Sequence, residues 1–175
     1  MANTPIDMNE FVGRTNTFVH GYAGASVNVH TMSPHNLYDP GFIVGIPSKH
    51  ETTIKKRKYS AADAEKTRSE MRADPSVQAD PHAVMGTWTR GPEGAEPLKH
   101  LRTTTDRSRH IDTGNRTQDM ERAMMLGHRG KQDAIFDLHK GDDIKMSQDT
   151  LRHSRINAAL DPTAPKRAGA NPLFG

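Results

Sequence analysis

Cysteine is absent from the 175-residue chain, which excludes disulfides, thiolate nucleophiles and every cysteine-based zinc site. Large apolar side chains are few: Leu, Ile, Val and Phe number 8, 8, 7 and 5. That share is below the roughly one-fifth at which a chain begins to look unable to fold alone. Long hydrophobic runs are missing too. Phe42-Ile43-Val44 ends at Gly45, and no run comes near the ~20 residues that span a bilayer. The first ten residues carry neither the basic nor the apolar segment of a secretory signal, so the expectation is a soluble, non-secreted protein with no membrane partner. Strong net charge is also lacking, since 24 Lys+Arg face 21 Asp+Glu. The chain is polar and balanced, unlike a self-repelling tail.

What is present changes character along the chain. In residues 1–58, Val27 and Val29 alternate as in a half-buried strand, and Gly41 to Pro47 reads as a short buried strand ended by proline. Phe11-Val12 and Phe18-Val19 are isolated apolar pairs, and glycines interrupt every stretch. This segment reads as extended chain with short strands. Ser60 and Asp63 have the spacing of a capping box, which predicts a helix within 59–73, stopped before Asp74-Pro75. Residues 74–115 contain Pro75, Pro81, Pro92 and Pro97 and read as a long irregular linker, itself an argument against compactness. Within it lies Trp88, the only tryptophan. Asn115 and Gln118 cap a helix that carries Met120, Ala123 and Met124 on one face. Further short helices are expected over 131–140 and from Ser147 to Leu160, making 116–160 a small helical region. The tail, 161–175, reads as extended and ends Pro172-Leu173-Phe174-Gly175.

Ten histidines are in excess, yet no two have the i, i+4 or His-x-His spacing of a metal pair. His110, Asn115 and His128, in that order, resemble the His-Asn-His nuclease family over a short stretch. The resemblance implies a histidine that activates water beside a divalent metal. The family places a β-hairpin before its helix, where this sequence reads as a polar loop, so the adopted reading makes Asn115 a helix cap. Phosphate-loop and Gly-x-Ser-x-Gly signatures are absent. Lys55, Lys56, Arg57 and Lys58 form the one dense basic run, suited to phosphates or to an acidic protein surface. Few aromatics lie near it, so protein contact is favoured over nucleic-acid contact.

The resulting expectation is a mostly irregular, extended chain, with short strands in the N-terminal third and a small α-helical C-terminal part. It is a non-compact α+β protein ordered by its partners. The anchors expected to enter partner surfaces are Phe42, Trp88, Met124, Leu151 and Phe174, with residues 55–58 as a basic patch. No cofactor or metal is expected. The function expected is non-enzymatic: a structural or accessory component of a large assembly that touches several protein subunits at once. A minor or cementing protein of a virus or phage particle is the first setting, and the lack of cysteine favours it. A protein bound along the microtubule lattice of a cilium or flagellum is the second, since pI ≈ 9.3 suits acidic tubulin.

Overall fold

A computed structural model describes residues 3–17, 22–55, 58–90 and 101–146. Seven strands form one antiparallel sheet: β1 (Tyr22–Asn28), β2 (Phe42–Gly45), β3 (Thr52–Lys55), β4 (Ala83–Arg90), β5 (Arg102–Ile111), β6 (Ala134–Asp137) and β7 (Asp142–Lys145). Among the described residues four helices accompany them: α1 (Met8–Asn16), α2 (Ala61–Ala73), α3 (Pro75–Gln78) and α4 (Arg116–Arg129). The sheet order is β1-β4-β5-β2-β6-β7, with β3 also paired to β5. The expectation of a mostly irregular, non-compact chain is therefore wrong. Residues read as linker supply β4 and β5, the two longest strands, which pair with each other over eight positions.

The reason lies in what fills the interior. Phe11, Val27, Val29, Met71, Val77 and Met85 form one apolar cluster beneath α1, α2 and α3. Phe42, Val44, Ala123, Met124 and Ile135 form another beneath α4. Around them are buried Thr15, Thr67, Thr87, Thr89, Thr103 and Thr105. Their hydroxyls are paired: Thr15 with Thr87 at 2.8 Å, Thr89 with Thr103 at 2.9 Å, and Thr105 donating to the Tyr59 hydroxyl at 3.0 Å. Threonine is a good strand former, and a bonded hydroxyl escapes the desolvation cost of an unpaired one. Met, Ala and Thr thus do much of the packing that a count of Leu, Ile, Val and Phe leaves out.

Capping sets the helix starts. Ser60 and Asp63 complete the reciprocal box at α2, and the Asn115 side chain accepts from the Gln118 N–H at 3.1 Å at α4. Asp7 caps α1, which occupies a stretch expected to be extended. Asp74 caps α3, and its carboxyl is held well below the usual carboxylate range by the Ser76 hydroxyl, then by His50, the Ser76 N–H and Lys49. Residues 134–137, expected to be helical, form β6.

Candidate functional site: the uncovered face of the sheet

Directly opposed residues in an antiparallel pair project to the same side of the sheet, and the side alternates along each strand. The register therefore sorts the sheet into two faces. Val27, Met85, Arg107 and Val44 belong to one face, and this face carries the clusters that the helices cover. Ser26, Gly86 and Asp106 form a row on the other, as do Gly24, Trp88 and Thr104. Here the apolar cluster is small: Ile43, Val84 and Leu138, with Phe136 against it. No helical residue belongs to that cluster among the described residues.

A groove of about 800 Å³ crosses this face, its floor drawn from six strands and its rim including Arg14 of α1 and the loop residues His35 and Leu37. Glycine deepens it. A Cβ at Gly86 would lie 2.8 Å from Asp106 Oδ1, 3.5 Å from Ser108 Oγ and 3.8 Å from Ser26 Oγ. The missing side chain leaves a small cup into which three oxygen-bearing groups converge.

Asp106 is the electrostatic centre of the cup. β2 pairs with β5 over Ser108–Ile111 and β3 pairs with it over Arg102–Thr105, so Asp106 falls opposite the break between them. Burial pushes its carboxyl up to about 6, with a contribution from the Glu51 charge, against the Ser108 hydroxyl that donates to it at 3.1 Å. Below that pH the group is a hydrogen-bond donor, and above it an anion.

His35 lines the groove, and behind it the ring of His110 lies 4.3 Å away, tilted by 43°. The His110 Nε2–H donates to the Pro40 carbonyl at 3.0 Å. His35 Nε2 is buried with no hydrogen-bond partner. Burial lowers the His35 pKa to about 4, reinforced by repulsion from His110 and opposed by Asp39. His35 is thus a neutral ring at neutral pH.

The residues singled out from sequence fall in different places. Phe42 and Met124 are fully buried in the protein's own core beneath α4. Trp88 is 42 % exposed and lines the groove. Lys55 and Lys58 are exposed, Lys55 at the end of β3 opposite Arg102. Lys56, Arg57, Leu151 and Phe174 lie outside the described residues, as does the helix expected from Ser147. The nuclease pattern gains the strand pair it requires, because β4 and β5 precede α4. Its three residues are otherwise engaged. Asn115 caps α4, His110 holds the Pro40 carbonyl, and His128 lies in the last turn of α4. That is about 20 Å along the helix axis from the cap. Among the described residues no three His, Cys, Asp or Glu side chains are grouped to hold a metal ion.

Asp106 and Gly86 were not singled out from sequence, and His35 only as one of the ten histidines. Alternation of Thr103, Thr105 and Arg107 with Thr104, Asp106 and Ser108 is a strand signal, but one without Val or Ile to mark it. No known protein family, curated protein or solved structure matches the chain.

Proposed function

We propose that the protein is a non-enzymatic binding component of a larger protein assembly, and that the uncovered sheet face takes an extended segment of a neighbouring subunit. One observation carries this reading. Among the described residues the exposed large apolar side chains are Leu37, Tyr38 and Trp88, at 55, 78 and 42 % exposure. Leu37 and Trp88 both line the groove, and Tyr38 adjoins Leu37. Tyr38 also holds a positive φ of 71°, a strained conformation for an aromatic residue. Exposed aromatic and aliphatic groups gathered at one concavity are the usual make-up of a protein-docking site. The groove crosses six strands, about 24 Å at the usual strand spacing, which is the reach of roughly seven extended residues.

Lack of cysteine still favours a virus or phage particle as the setting. A microtubule lattice keeps the support of pI ≈ 9.3 but not that of an extended chain lying along it, because a sheet orders the residues read as linker.

The test is incorporation into the native assembly, with a photo-crosslinking residue at position 37 to identify the subunit contacted. Trp88→Ala should remain folded yet be lost from the assembly, and charge reversal at Lys55 and Lys58 should have the smaller effect. Incorporation of Trp88→Ala at the wild-type level would sink the proposal.

A second reading has a specific observation behind it: a carboxyl titrating near 6 in a groove is suited to proton transfer. It requires Asp106→Asn to abolish a turnover. The docking reading requires only that Asp106→Asn still assembles.

A further inference from the structure

The end of β5 and one face of α4 enclose a second concavity, of about 330 Å³, in which positive charge predominates. Arg109 and His110 come from β5, Arg122 and Arg129 from α4, and His82 from the turn before β4. Arg122 and Arg129 are seven positions apart, which puts them on the same side of the helix about 10 Å from one another. Both are exposed, and neither has an ion-pair partner among the described residues.

The nearby carboxylates are already engaged. Asp80 is shared by Arg109, whose Nε lies 3.4 Å from it, and by Arg107 at 3.8 Å. Asp112 accepts the Gly114 N–H at 3.0 Å. The cleft wall thus holds three guanidinium groups, of Arg109, Arg122 and Arg129, against the one carboxylate of Asp112, while Asp119 behind it accepts the Thr113 N–H and hydroxyl; the uncompensated charge is borne by the two helical arginines. Ile111, Met125 and Leu126 supply an apolar wall to the same cleft.

We propose that this cleft binds a phosphomonoester of mononucleotide size. Guanidinium forks match phosphate oxygens two at a time, which a point charge cannot do. The cleft is larger than a lone phosphate, at the small end of the range for small-molecule sites. Its apolar wall, with the adaptable Met125 side chain, suits a flat or apolar group attached to that phosphate. The site stands apart from the groove and does not depend on the docking reading.

The experiment is calorimetric titration of the full-length protein, at about 0.15 M salt, with adenosine 5′-monophosphate, adenosine, inorganic phosphate and a single-stranded oligonucleotide. The monophosphate should bind at least about tenfold more tightly than adenosine. Inorganic phosphate should compete with it, but more weakly. Arg122→Gln with Arg129→Gln should weaken monophosphate binding by at least about tenfold. Thermal unfolding should be unchanged in that double variant, because both side chains are exposed, and Arg102→Gln at the opposite end of β5 should bind like wild type. Equal binding of adenosine and its monophosphate would overturn the proposal. So would a double variant that binds normally, no binding of the monophosphate, or binding of the oligonucleotide alone.

Discussion

Arg116 donates to Asp137, a carboxylate with no solvent exposure, while its guanidinium sits 5.2 Å from the centre of the Phe42 ring. One side chain at the start of α4 thus neutralises a charge inside β6 and covers the aromatic edge of β2. The Lys140 N–H also donates to Asp137, at 3.2 Å, but brings no full charge.

Arg116→Leu should therefore destabilise the fold by about 2–3 kcal/mol, because a buried carboxylate keeps its desolvation cost and loses its cation. Arg116→Lys should recover part of that loss, since it restores charge without the fork or the flat surface over Phe42. Urea unfolding of the three proteins at neutral pH measures this. A leucine variant as stable as wild type would mean that Asp137 is satisfied without the guanidinium.

The dependence of stability on pH should be flatter in the wild type than in either of two variants. Asp106 titrates at about 6 in the folded protein, above its ordinary 3.8. Between those values the folded state holds a proton that the unfolded state has lost, so this group makes stability fall as pH rises. His35 titrates at about 4, below its ordinary 6.5. Across that range the unfolded state holds the extra proton, so His35 makes stability rise with pH. Each effect is worth about 3 kcal/mol, and their windows overlap. Asp106→Asn should thus gain stability relative to wild type as pH rises from 4.5 to 6.5, and His35→Gln should lose it. Denaturant titrations at the two pH values give the comparison, and parallel profiles for all three would refute it.

Glycine substitutions should separate two roles. A Cβ at Gly13, on the exposed side of α1, meets nothing within 4 Å. Gly13→Ala should stabilise by about 0.5–1 kcal/mol through helix propensity and reduced unfolded-state entropy. A Cβ at Gly24 would lie 2.6 Å from the Thr87 carbonyl oxygen, which the β1–β4 ladder holds in place. Gly24→Ala should cost about 1–3 kcal/mol. Thermal melts decide it, and the same sign for both variants would contradict the geometry.

Legibility from sequence followed the chemistry of particular residues. Ser60 and Asn115 announce α2 and α4 because a capping side chain has few other uses at that spacing. Phe42-Ile43-Val44 marks β2 by plain hydrophobicity. β4 and β5 were missed because their core positions include Thr87, Thr89, Thr103 and Thr105, polar in a composition count but buried and bonded to one another or to Thr15 and Tyr59. Ile135 and Leu138 suggest a helix by their three-residue separation, yet Ile135 is in β6 and Leu138 is in the turn after it. The groove was not legible at all. It depends on Gly86 lying between Ser26 and Asp106, residues 60 and 20 positions away in the chain, and only pairing brings them into one row.

Placing β5 between β4 on one side and β2 with β3 on the other has a consequence for synthesis. The first three strands leave the ribosome before the strand that β2 and β3 must join. Until Arg102–Ile111 emerges, Phe42-Ile43-Val44 has neither its β5 ladder nor the cover of α4, and a sticky edge is open to neighbouring chains. Slowing translation before residue 102 would prolong that exposure and favour aggregation of the nascent protein. Slowing it after residue 146, when all seven strands are made, would not.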